Sequence, residues 1–144
     1  MPKVAIVYVS SMGRTKMMAE AVADGVRTVE GVDLVIQNRD EFNIDDVKDA
    51  DAIALGGGTY GYSLTHAIDT PLRILKETDL KAKVGAAFGS YGWSGEGVPT
   101  LIEKLKEMGL NVIEPGIKAK QAPDKEAIEA CFMLGRSLAE GVKA

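Results

Sequence analysis

Short apolar runs alternate along this 144-residue chain with longer stretches whose apolar residues recur every three or four positions. No other feature constrains the fold as strongly. Lys3–Val9, with the run VAIVYV, is too continuously apolar for a half-exposed strand and predicts one buried on both faces. Thr15 to Val29 follows, with Met18, Val22, Val26 and Val29 forming a helical stripe that Gly31 ends. Val32–Asn38, Asp51–Gly57, Lys83–Gly89 and Asn111–Gly116 predict four more strands, the last cut short at Pro115. Between them fall a short polar helix or turn at Asn43–Ala50 and helices at Pro71–Glu77, Glu96–Met108 and Asp124–Val142. Pro71 stands at the favoured first helical position, after a cap at Asp69–Thr70. Strands that alternate with helices imply a parallel sheet covered on both faces. Right-handed crossovers then make a three-layer, doubly wound α/β sandwich with a five-stranded parallel sheet the natural arrangement.

The length suits one domain, 1–144, whose core needs neither disulfide nor metal. A net charge of −4 gives no electrostatic grip on nucleic acid or an anionic membrane. The single cysteine, Cys131, excludes an internal disulfide, and with the single histidine, His66, it excludes a Cys/His zinc site. Cys131 lies in the apolar helical stripe AIEACFMLG and is expected to be a buried thiol. His66 sits in a loop that could touch a ligand, although a lone loop histidine more often decorates the surface. No charged-then-apolar leader opens the sequence and no apolar run approaches membrane-spanning length, so a cytoplasmic protein is expected.

In doubly wound sheets, ligands bind beyond the carboxyl ends of the strands, near the point where strand order reverses. That rule selects three loops: SSMGRT (10–15), GGGTYGYSLTH (56–66) and GSYGWSGEG (89–97). The first places Ser10, Ser11 and Thr15 around Gly13 where a strand hands over to a helix. The unpaired amides and positive dipole end there suit a phosphate, whereas helix capping alone needs only one such hydroxyl. The three loops hold more than half of the 16 glycines and, in Tyr60, Tyr62, Tyr91 and Trp93, four of the chain's eight aromatic residues. Aromatic rings set among Gly, Ser and Thr, outside the core elements, suggest walls for a flat ligand. Gly56, Gly58 and Gly61 spell G-x-G-x-x-G, but they follow the third strand with no helix behind them, which argues against a dinucleotide site.

These residues resemble the flavodoxin family over essentially the whole chain. SSMGRT is similar to the family's Ser/Thr-x-Thr-Gly-x-Thr loop for the FMN phosphate, and GTYG (58–61) to the loop bearing a stacking aromatic and a glycine beside flavin N5. FGSYGWSGE (88–96) is similar to the flavodoxin-like domain of A-type, diiron-partnered flavoproteins. The resemblance implies a flavodoxin-like fold with strand order 2-1-3-4-5 and bound FMN. It implies cofactor contacts from Ser10, Ser11, Met12, Gly13, Arg14 and Thr15 in the first loop and Gly58, Thr59, Tyr60 and Gly61 in the second. Ser90, Tyr91, Gly92, Trp93 and Gly95 would supply those of the third. Tyr60 is expected on one face of the ring and Trp93 or Tyr91 on the other, with the Gly61–Tyr62 peptide free to reorient. Met12 stands where a threonine is usual, and Arg14 brings a charge that such loops generally avoid. It either faces solvent or helps to neutralise the phosphate. The implied function is low-potential electron transport between redox partner proteins by a monomer. The alternative is an FMN-dependent NAD(P)H:quinone reductase. No diiron domain is read in this sequence, so no oxygen or nitric oxide reductase activity is expected.

Overall fold

The computed structural model describes residues 1–10, 12–60, 63–92 and 94–144. Strand β1 (Lys3–Tyr8) runs parallel to β2 (Asp33–Asn38) on one side and β3 (Ala52–Gly56) on the other. Strand β3 pairs in turn with a long parallel strand, Val84–Tyr91. Between β3 and that strand the chain forms a two-rung antiparallel hairpin, β4 (Thr59–Tyr60) and β5 (Ser63–Leu64), which makes Val84–Tyr91 β6. The outer flank of β6 carries β7 (Asn111–Val112) and then β8 (Ile117–Lys120). Taken together as one edge strand, β7 and β8 give the sheet order β2-β1-β3-β6-β7/β8, which is 2-1-3-4-5 with the hairpin left out of the count, and β4 pairs with the end of β6.

Burial is continuous along the central strands because both faces are covered, and successive residues join opposite cores. Val4, Ile6 and Tyr8 join one core with α1 (Arg14–Arg27) and α5 (Lys125–Lys143). Ala5, Val7, Ile53 and Leu55 join a second core with α2 (Ile44–Val47), α3 (Asp69–Lys76) and α4 (Gly97–Glu107). This is the two-sided burial that continuous apolar strands require. No helix among the described residues is long and apolar enough to cross a membrane.

Two boundaries differ from expectation. The fifth strand does not end at Pro115. Ile113 N–H still bonds to Gly85, the chain leaves the sheet over 114–116 where Pro115 has no amide to give, and it re-enters at Ile117. The sequence IKAK then turns Ile117 and Ala119 inward and leaves Lys118 and Lys120 exposed, the alternation of an edge strand. Helix α3 starts at Asp69, two residues before Pro71, behind a 3-10 turn (His66–Ile68) capped by Thr65, whose hydroxyl accepts the Ala67 N–H. Pro71 fits inside that first turn because an amide there would have no helical partner.

Among the described glycines, the closest approaches to neighbouring main chain join α1 to α5. A β-carbon on Gly135 would stand 1.9 Å from the Val22 carbonyl oxygen, and one on Gly25 1.9 Å from that of Phe132. The helices approach backbone to backbone, and Cys131 is sealed between them and the sheet with no exposed surface. Loss of solvation pushes its thiol up to about 12.

Gly135→Ala must force the helices apart, so a loss of about 1–3 kcal/mol is expected in urea unfolding. An unchanged midpoint would contradict the contact. An unfolded cysteine ionises near 8.5, well below the folded value of about 12. The unfolded state therefore releases its proton first, and stability should fall as pH rises from about 9 towards 12. Comparing pH–stability profiles with Cys131→Ala, which should lack that slope, checks the sign.

Candidate functional site

Because β1, β3 and β6 are parallel, their carboxyl ends share one edge, and the turns leaving them meet there. In the first turn Gly13 takes a left-handed φ of 83° as the N-cap of α1, a conformation that a β-carbon disfavours. No side-chain hydrogen bond caps this helix end among the described residues, and its first turn has no acidic residue. Among the described residues its leading amides have no partner, and its dipole end stays positive.

Thr15 does not cap its own helix. Its buried hydroxyl oxygen lies 3.3 Å from Ser90 Oγ and accepts the Ser90 N–H at 3.4 Å, tying the first turn to the end of β6. Thr59 makes a comparable tie. Its Oγ1 accepts the buried Gly97 N–H at 2.7 Å, capping α4 from a distant part of the chain, while Glu96 at the N-cap position gives no side-chain bond. The second and third turns also touch directly, since a β-carbon on Gly89 would stand 2.0 Å from the Gly57 carbonyl oxygen.

A cleft of about 370 Å³ opens between the three turns, within the size of small-molecule sites. The first turn lines it with Ser10, Met12, Arg14 and Thr15. The second adds Gly58, Thr59 and Tyr60, and the third Ser90, Tyr91 and Gly92. Tyr60 is 51% exposed at the opening and Met12 71%, while Tyr91 is half-buried. Arg14 is the one charged residue among those described that line the cleft. Gly13 shapes the start of α1 without lining the cleft, and Gly95 lies apart from it, packed against Lys118. Ser11, Gly61, Tyr62 and Trp93 lie outside the described residues, and with them the expected Gly61–Tyr62 peptide and one of the two candidate ring partners. His66 is exposed and bonded to Asp69 Oδ2 at 3.1 Å, away from the cleft lining. Gly56 and Gly58 lead into the β4–β5 hairpin rather than a helix, so the glycine pattern is not a dinucleotide motif here.

Every described residue lining the cleft was expected from the sequence. The Thr15–Ser90 and Thr59–Gly97 ties were not.

The flavodoxin family model matches residues 6–135. The chain belongs to the flavodoxin family. It is 34% identical over 139 residues to the type A flavoprotein fprA of Rhodobacter capsulatus, covering 94% of this chain and 32% of that protein. Among solved structures it is similar to a flavodoxin from the domain Archaea, with 36% identity, a TM-score of 0.93 and 99% of each chain covered. It is also similar to the rubredoxin oxygen:oxidoreductase of Desulfovibrio gigas, with 28% identity and a TM-score of 0.90 over 98% of this chain and 36% of that one. The chain spans 24–36% of the length of the curated relatives it matches. Membership of a flavodoxin family implies FMN as cofactor and electron transfer as the work of the domain.

Thr59→Val keeps the shape of the side chain but loses the bond to Gly97, so it should cost about 1 kcal/mol in chemical denaturation. Thr59→Ser should recover most of that loss. Equal stability of the valine variant and the parent would show that the cap contributes nothing.

Proposed function

We propose that the cleft between the three turns holds FMN and that the protein carries single electrons between redox partner proteins. The unused amides at the start of α1, with Ser10 and Arg14, suit the phosphate ester, and Tyr60 and Tyr91 suit a planar ring. FMN supplies the one-electron chemistry, and the protein supplies binding, orientation and shielding from water. Thr15 and Thr59 hold the turns in place rather than spend their hydroxyls on a reaction.

One observation carries the choice of carrier over enzyme. Among the described residues lining the cleft there is no carboxylate, histidine or cysteine, the groups that most often move protons for a substrate. The opening instead presents Met12 and Tyr60, apolar surface that another protein can approach closely. Such a carrier belongs in the cytoplasm and works as a monomer.

Purified protein should be yellow, release FMN on denaturation, and as apoprotein quench added FMN fluorescence with one-to-one stoichiometry. Reduced anaerobically, it should deliver its electrons to a one-electron acceptor and then stop. A colourless protein that quenches no FMN fluorescence would overturn the reading. Sustained NAD(P)H oxidation with a quinone by the isolated protein would make it a reductase instead.

A further inference from the structure

We propose that Arg14 is the residue by which the cleft selects phosphorylated flavin over riboflavin. The proposal rests on the FMN reading above and concerns how that site tells two closely related ligands apart.

Arg14 is the first residue of α1, half-buried, and lines the cleft. A cation at the first turn of a helix opposes the macrodipole and costs the helix stability, so the fold does not explain this residue. Nor does an internal partner. Arg14, like Lys16, Arg73 and several other basic residues, forms no ion pair with any described residue, and of these it is the one that lines the cleft. No acidic residue lies in the first turn of α1 or among the described residues lining the cleft. A half-buried arginine lining a cleft with no counter-charge among the described residues is one half of an ion pair, and the ligand would bring the other.

The other donors leave it work to do. The Met12 side chain offers no donor, and the Thr15 hydroxyl is already shared with Ser90. Helix amides carry a partial charge of roughly +0.5, while a phosphate monoester at neutral pH carries about −1.5 to −2. Arg14 supplies the missing positive charge. Riboflavin offers the same ring to Tyr60 and Tyr91 but nothing to Arg14.

The test measures dissociation constants of the apoprotein for FMN and for riboflavin, separately, by fluorescence quenching at two ionic strengths. It is repeated for Arg14→Gln and Arg14→Lys. Arg14→Gln should weaken FMN binding by roughly 10- to 100-fold and leave riboflavin binding unchanged. It should also flatten the salt dependence seen with FMN, and Arg14→Lys should restore much of both. The melting temperature of the apoprotein should not fall in Arg14→Gln, which separates a ligand effect from a folding defect. Equal weakening of both flavins, or of neither, overturns the proposal while leaving the FMN reading intact. A parent protein that binds neither flavin overturns both.

Discussion

Parallel main-chain pairing among β1, β3 and β6 decides where chemistry can happen in this molecule. Three strands running the same way deliver their carboxyl ends to a single edge, and the helices returning the chain occupy both faces. The register is locked from two sides at once. A slip of one residue would send Val4 and Ile6 into the space packed around Ala5 and Val7, and the reverse, disrupting both cores together. The meeting of three turns is thus a by-product of core packing and requires no favourable contact of its own.

What those turns add is rigidity relative to one another. Thr15 and Thr59 each use a hydroxyl to bind a neighbouring turn, and Gly89 allows main chain to lie against main chain. Both threonines look like ligand contacts in the sequence, and both line the cleft, yet their hydroxyls are engaged in the frame. The side chains at the opening differ in character. Met12 and Tyr60 are exposed at the opening, so a firm interior is joined to a rim that a ligand or partner can reach. Binding sites that combine the two lose less entropy on accepting a ligand than sites that must order themselves first.

Much of this was legible from residue order, for identifiable reasons. Continuous apolar runs reveal two-sided strands, and stripes at helical spacing reveal α1, α4 and α5. Aromatic residues clustered among Gly, Ser and Thr after three strands reveal the cleft lining, because large rings have little reason to sit in turns unless something binds there. Residue order misleads where a single proline dominates it. Pro115 reads as a terminator, but an edge strand can step out of the sheet around a missing amide and resume, as it does at Ile117. Pro71 reads as a first helical residue, but a helix can begin earlier provided the proline stays within its opening turn. The hydroxyl ties had no sequence signal at all. Thr59 and Gly97 lie 38 positions apart, and a single hydrogen bond across that distance leaves no period or motif behind.

The glycine contact between α1 and α5 has a bearing on how the molecule is made. It joins an early helix to the last one described, a pairing whose loop-closure entropy delays it relative to local structure. During synthesis α5 leaves the ribosome after every other described element, so part of the apolar surface of α1 waits uncovered until then. Until α5 docks, the helix whose amino end opens onto the cleft is held by its contacts with the sheet, and one wall of the cleft depends on that seam closing.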